Sequence, residues 1–287
     1  MTNFNLQYFN QRLSNTLIGT ILLILTYLFF SVMELTAKEL ALRFNPFLIV
    51  FARYLSQLIL LLIIFNKQFK THLKSNHKPL QILRGALLMI TTCFMFTGLA
   101  YLQFAENISI YMIGPVITTI LAILILKEKI SFTQILVVII GLIGALIIAS
   151  PNKGAFNYAV IFPFLAALCF AFFTISTKFL NTSDSNQTTL LLTAITGTIL
   201  SLPFIIYFWK WPNLNDAILM FCLGFLATAG HFLFIEALKV INASFAAPFV
   251  YLTVLLAAFW GYILYNEIPS QNTFIGAFLI ITSGFII

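Results

Sequence analysis

The chain has 287 residues, 61% of them hydrophobic and only 8% charged, with a formal net charge of +7. A soluble domain carries about 25% charge, so this composition excludes a soluble enzyme or binding module. It predicts an all-α integral membrane protein.

Residues 1–16 are polar with one cation, Arg12, and read as a cytoplasmic N-terminal segment. The apolar run behind them is too long for a signal peptide, and no small-residue cleavage site follows it, so the first helix is expected to remain. A crossing helix needs about 20 apolar residues. Ten such segments follow in order, over roughly 17–36, 46–65, 81–101, 105–126, 131–149, 156–177, 188–208, 216–235, 244–265 and 271–287. Polar or proline-bearing breaks fall at 43–46, 67–79, 127–129, 151–153, 182–187 and 211–216. Cys93, Cys169 and Cys222 lie within apolar segments with no CxxC or Cys/His spacing. Neither a disulfide framework nor a metal site is indicated, and no cofactor is expected.

The basic residues are unevenly placed. With Arg12 cytoplasmic, the cytoplasmic loops hold Lys67, Lys70, Lys74, Lys78, Lys127, Lys129, Lys178 and Lys239, with Arg84 just inside the third segment. The opposite loops hold only Lys38, Arg43, Lys153 and Lys210. Lys- and Arg-rich loops stay cytoplasmic during insertion, which places both termini in the cytoplasm. The excess charge then encodes orientation in a lipid bilayer and implies no nucleic-acid partner.

The two halves resemble each other at a nearly constant offset. At 140 residues Lys38 pairs with Lys178, Phe30 with Phe170 and Leu40 with Leu180; at 139, Gly85 pairs with Gly224, Leu99 with Leu238, Glu128 with Glu267 and Ser131 with Ser270. This divides the chain into units 17–150 and 151–287. Five helices per unit, an odd number, require the second unit to insert upside down. Ten transmembrane helices as two inverted five-helix repeats are the signature of alternating-access carriers, with a substrate site near the midplane.

Several motifs then carry a family resemblance. The first half has Phe51-Ala52-Arg53, Leu83-Arg84-Gly85, Gly98-Leu99-Ala100, Ala105-Glu106, Gly114-Pro115 and Leu126-Lys127-Glu128-Lys129. The second half has Gly230-His231-Phe232, Glu236-Ala237-Leu238, Ala243-Ser244-Phe245-Ala246-Ala247-Pro248-Phe249-Val250-Tyr251, Gly261-Tyr262, Asn266-Glu267-Ile268-Pro269, Thr273-Phe274-Ile275-Gly276-Ala277 and Ser283-Gly284. From residue 17 to 287 the chain resembles the EamA family of ten-helix carriers in the drug/metabolite transporter superfamily. The family's usual glycine before the helix-ending glutamate is Lys127 in one half and Asn266 in the other. The resemblance implies a bacterial inner-membrane carrier, monomeric or homodimeric, in which helices 1–4 and 6–9 surround a central cavity and helices 5 and 10 lie at the periphery. Members similar to this chain move amino acids, S-adenosylmethionine, riboflavin or metallophores, in either direction.

Ionisable residues within a membrane segment are costly and mark function. Arg53 lies eight residues after Asn45, about 12 Å along its helix, in the outer half. A guanidinium keeps its charge, so it needs a carboxylate, carbonyls or an anionic substrate group; Glu34 is the candidate internal partner. Glu34 also has Lys38 one turn later, at ion-pair spacing. Lys38 and Lys178 sit at helix ends, where snorkelling to the interface suffices. His231 lies five residues before Glu236, about 8 Å inside the cytoplasmic end, with Tyr251 at similar depth on the next helix. Arg53, Tyr111, His231 and Tyr251, with Glu34, are expected to line the cavity, Arg53 toward the outside and His231 with Tyr251 toward the cytoplasm. Alternatively His231 makes an interhelical structural bond. Pro115 and Pro248 are candidate hinges or sites of static curvature. Trp209 and Trp211 read as interfacial belt, and Gly141, Gly144, Ala145, Gly276 and Gly284 suit close helix packing.

No HExxH, catalytic triad or phosphate-binding loop is present, and without a nucleotide-binding domain transport must use a gradient or exchange. The expected function is secondary transport of a small polar or amphipathic metabolite, best an S-adenosylmethionine-like or amino-acid-derived solute; a drug or amino-acid exporter is the alternative. An intramembrane lipid-modifying enzyme would have to use Glu34, Arg53 and His231 together, and the depth estimates set them too far apart.

Overall fold

The computed structural model describes residues 2–102, 104–149, 158–265 and 271–286. The break at 151–153 and the motif members Asn266, Glu267, Ile268, Pro269 and Ser270 lie outside the described residues. Among the described residues all regular structure is helical. The helices are α1 (Thr2–Ala41), α2 (Pro46–Phe65), α3 (Phe69–His72), α4 (Lys78–Tyr101), α5 (Phe104–Tyr111), α6 (Gly114–Leu126), α7 (Phe132–Ala149), α8 (Ile161–Leu180), α9 (Asn186–Phe208), α10 (Leu214–Val240), α11 (Ala243–Ala246), α12 (Leu252–Tyr265) and α13 (Gln271–Ile286).

Seven spans are long and apolar enough to cross a membrane: Asn15–Ala41, Pro46–Phe65, Lys78–Gly98, Tyr158–Leu180, Asn186–Phe208, Leu214–Val240 and Ala243–Leu264. Three shorter apolar helices, Gly114–Leu126, Phe132–Ile147 and Phe274–Ser283, complete the apolar set. Outward faces carry large hydrophobic residues, such as Ile63, Leu124, Ile199 and Phe278. A water-exposed surface rarely keeps so much contiguous apolar area, and a bilayer requires it. The protein is a multi-pass membrane protein.

Helix starts follow local chemistry. Asn45, Ser185 and Asn213 accept from Phe47 N, Thr188 N and Asp216 N at the starts of α2, α9 and α10, each satisfying an otherwise orphaned donor. Pro46 occupies the first turn of α2, where its missing N–H is harmless.

The apolar stretches 105–126 and 244–265 are not single helices, as the hydropathy suggested. The first divides into α5 and α6 at Met112–Ile113, just before Gly114-Pro115. The second runs as α11, a 3₁₀ stretch over Ala247–Tyr251 containing Pro248, and α12. Proline removes one backbone donor and clashes with the preceding turn, so each helix is interrupted at its proline.

Helices from residues 2–149 pack on helices from residues 158–286. α1 packs on α10 and α8 on α4; α2 packs on α10 and α9 on α4; α6 packs on α8 and α12 on α1. α2 and α9 touch each other, as do α7 and α13. The α7–α13 contact is close: a Cβ at Gly144 would stand 2.8 Å from the Gly276 carbonyl oxygen, so only glycine fits there.

After α6 the chain turns sharply at Lys127, the one non-glycine residue with positive φ (54°) among the described residues. The left-handed conformation costs a side-chain-bearing residue roughly 1–2 kcal/mol and suits glycine. Lys127→Gly should therefore raise the thermal unfolding midpoint in detergent, by up to about 1 kcal/mol of stability. An unchanged or lower midpoint would contradict the strain assigned to this turn.

Candidate functional site

Inside the bundle α1, α2, α4, α5, α8, α10 and the α11–α12 segment surround a cavity, with about 80 Å³ open to the centres of water-sized molecules. Its polar lining is Tyr27 and Glu34 from α1, Arg53 from α2, Thr91 and Thr92 from α4, Tyr111 from α5, His231 from α10 and Thr253 from α12. The rest is aromatic or aliphatic, including Phe30, Phe96, Phe170 and Met95.

Arg53 is 1% exposed and His231 3%. Arg53 Nη1 donates to Thr92 Oγ1 at 3.1 Å, and Nη2 donates to His231 Nε2 at 2.9 Å. A guanidinium only donates, so Nε2 presents its lone pair and the imidazole proton is assigned to Nδ1. Thr92 spends its own hydroxyl proton on the Leu88 carbonyl, 2.9 Å away, which turns its lone pairs toward the arginine. Phe30 and Phe173 hold the imidazole ring, with centroids 4.7 and 5.7 Å away. Tyr54 lies under the guanidinium at 4.7 Å.

These contacts correct the depth estimates. Counting inward from Glu236 underestimated the position of His231, because α10 continues to Val240. The nine residues between 231 and 240 correspond to about 13 Å of helix, and at that depth His231 meets Arg53. Nor is Arg53 paired with Glu34. Ion pairs among the described residues are Arg43–Glu39, Arg43–Asp216 and Lys239–Glu236.

A second guanidinium, from Arg84, is fully buried. Its Nε donates to Thr177 Oγ1 at 2.7 Å, its Nη1 donates to Thr193 Oγ1, and its plane covers Phe173 at 4.3 Å. In the sequence Arg84 stands out as an orientation charge and as a member of the Leu83-Arg84-Gly85 motif, not as a buried group. Its acceptors come from α8 and α9, about a hundred residues away, and no local pattern announces them.

The sequence pattern of the EamA-like transporter family matches residues 17–150 and again 157–287. The chain belongs to this family. It is 29% identical over 272 residues to the S-adenosylmethionine uptake transporter of Rickettsia prowazekii, covering 95% of this chain and 92% of that protein. It is 30% identical to the protein of the same name in Rickettsia bellii, covering 95% and 94%. A riboflavin transporter of Vibrio cholerae is 28% identical over 204 residues, covering 70% and 68%. A crystal structure at 14% identity shares the fold, with a TM-score of 0.78 over 95% of this chain and 96% of that chain.

In this EamA transporter Glu34, Arg53 and His231 do share one cavity, the arrangement an intramembrane enzyme would need. Glu34 makes no hydrogen bond or ion pair to either of the others. His231 Nε2 is occupied by a group that cannot accept a proton.

Tyr251 stands apart from this lining. It is 1% exposed and donates from its hydroxyl to the Val138 carbonyl at 2.9 Å. Its ring fills the space over Gly141, where a Cβ would approach to 2.4 Å. The phenol found its partner on α7 instead of in the cavity.

Charged residues at helix ends close the termini of neighbouring helices. Glu128 accepts from Ala243 N and Ser244 N, both at 3.0 Å, and from Ser244 Oγ at 2.6 Å. It caps α11, whose own N-cap residue, Asn242, makes no side-chain cap. Lys178 donates to the Leu238 carbonyl at 2.7 Å and to that of Ile241, so it closes the C-terminus of α10 and does not snorkel.

Between α8 and α9, Asp184 accepts from Ser75 Oγ, Asn76 N and Gln81 Nε2. Partial burial would raise its carboxyl, but these three donors and the neighbouring His77 outweigh burial and hold it below the usual range.

Tyr251→Phe should cost about 1 kcal/mol of stability, the net worth of one hydrogen bond, and leave the apparent KM unchanged. A shifted KM with an unchanged unfolding midpoint would return Tyr251 to the cavity.

Because the folded-state carboxyl of Asp184 is depressed, its stabilising effect is complete above the ordinary aspartate range and fades as pH falls through the folded value. Thermal unfolding of wild type should therefore lose stability in that acid range, and Asp184→Asn should start lower at neutral pH and lose less. Parallel pH profiles would contradict the assignment.

Proposed function

We propose that this protein imports an S-adenosylmethionine-like or other amino-acid-derived metabolite across the bacterial inner membrane. The carrier works by alternating access between two inverted five-helix halves, residues 17–150 and 151–287, with both termini cytoplasmic. The observation that carries the reading is the buried Arg53–His231 pair opening onto a cavity that also holds Glu34 and Tyr111. Ionisable groups at such depth are retained where they meet a solute or water. The names and near-complete coverage of the Rickettsia relatives support the solute class and the direction.

Support for two related halves comes from the repeated family match and from reciprocal helix packing. Support for a moving cavity comes from its size. Ligand pockets occupy about 300–1,000 Å³, so this contracted arrangement must widen before a nucleoside-sized solute enters. The interruptions at Pro115 and Pro248 lie where opposed helices approach the cavity, and we assign them the hinge role. Discontinuous helices at equivalent positions of two halves mark binding sites in carriers of this type.

Purified protein reconstituted into vesicles loaded with S-adenosylmethionine should show saturable counterflow of the labelled solute. Inactivity in oriented vesicles toward S-adenosylmethionine, amino acids and riboflavin would sink the reading.

A further inference from the structure

Among the described residues the cavity lining holds one permanent cation, Arg53, and one carboxylate, Glu34, and they are not paired with each other. In a low-dielectric interior an arginine and a glutamate gain strongly by direct contact. Here both terminal nitrogens of Arg53 are committed to neutral acceptors, Thr92 and His231. Its Nε is buried without a partner. Glu34 borders the same cavity, one helical turn after Phe30 on α1. Two opposite charges are thus held apart across a space walled by Phe30, Phe96 and Phe170.

Arg84 supplies the internal comparison. It too lacks a carboxylate, but it is closed over Phe173 by two threonines and does not line the cavity. An uncompensated guanidinium is therefore not by itself a site in this bundle. Arg53 differs because it faces open space with an opposite charge on that space's border.

We propose that the cavity selects a zwitterion, binding its carboxylate at Arg53 and its cationic group at Glu34, with a flat apolar body against the three phenylalanines. This rests on the reading that the cavity is the transport site. Carboxylate–guanidinium contact is charge-assisted and can be bidentate. Neutral Thr92 and His231 orient the guanidinium without cancelling its charge, so the full Coulombic attraction is available to a solute.

The test ranks three related probes by inhibition of counterflow and by thermal stabilisation. They are S-adenosylmethionine, its decarboxylated form, which lacks the carboxylate, and its N-acetyl form, which lacks the ammonium charge. Wild type should prefer S-adenosylmethionine over the decarboxylated form by roughly 10- to 100-fold, the worth of one charge-assisted bond, and over the N-acetyl form by roughly tenfold. In Arg53→Gln the first preference should collapse toward one with the second retained, and Glu34→Gln should weaken the second alone. Wild-type rankings suffice if a variant does not fold. Equal binding of S-adenosylmethionine and its decarboxylated form by wild type would overturn the inference. Should S-adenosylmethionine not bind, methionine is compared with methioninamide and N-acetylmethionine. Preference for methionine over both would uphold the zwitterion site while removing S-adenosylmethionine as cargo. Riboflavin binding with no response to any zwitterion would overturn the inference and leave transport standing.

Discussion

The structure depends on how a guanidinium is kept inside an apolar bundle. Burying an unpaired charge is costly enough that it must be hydrogen-bonded, paired or hydrated. Arg53 is answered by a threonine from α4 and a histidine from α10, two helices that α2 packs against directly. That choice joins the first half to the second at the cavity wall. It also fixes the histidine tautomer, since the ring must offer a lone pair. Thr92 takes part only because its hydroxyl proton is already spent on its own helix. Four side-chain and backbone groups thus share one polar requirement.

The ends of the helices obey the same rule by other means. An interrupted segment such as α11 exposes backbone donors where no water is assured, and in lipid each must be satisfied internally. Glu128 reaches across from the end of α6 to fill that need. Lys178 does the converse, closing carbonyls at the end of α10. One is an anion at a helix start and the other a cation at a helix end, the favourable sign in both cases. The glutamate contact joins α6 to α11 across the chain, and the lysine contact joins α8 to the end of α10.

Much of this was legible in sequence. Apolar length located the helices, because nothing but a bilayer uses so much of it. Arg53, Glu34, Tyr111 and His231 were singled out by the improbability of burying them, and all four border one cavity. What the sequence hid was partner identity. Tyr251 faced the same demand for a hydrogen bond, and a carbonyl on α7 met it where a solute was equally conceivable. Arg84 looked like an end-of-helix charge because its threonine acceptors lie far away along the chain. The meeting of Arg53 and His231 was missed because depth was counted from Glu236, and α10 continues past it to Val240. Composition reports that a polar group must be satisfied; only packing reports by what.

The contracted cavity gives the proposed cycle its energetic balance. A ligand shifts a two-state equilibrium only by its differential affinity for the two states. In the narrow state Arg53 is held by two neutral acceptors, and a bond to a charged group is worth about 1.5–3 kcal/mol. An incoming carboxylate offers a contact of the same order or somewhat more, so it can replace the histidine contact without a deep trap. A direct Arg53–Glu34 ion pair would remove this balance, because a solute would then have to break two opposite charges apart in a low dielectric. In the proposed cycle, keeping the charges apart leaves Arg53 available to a carboxylate, and its neutral partners limit the affinity so that release follows.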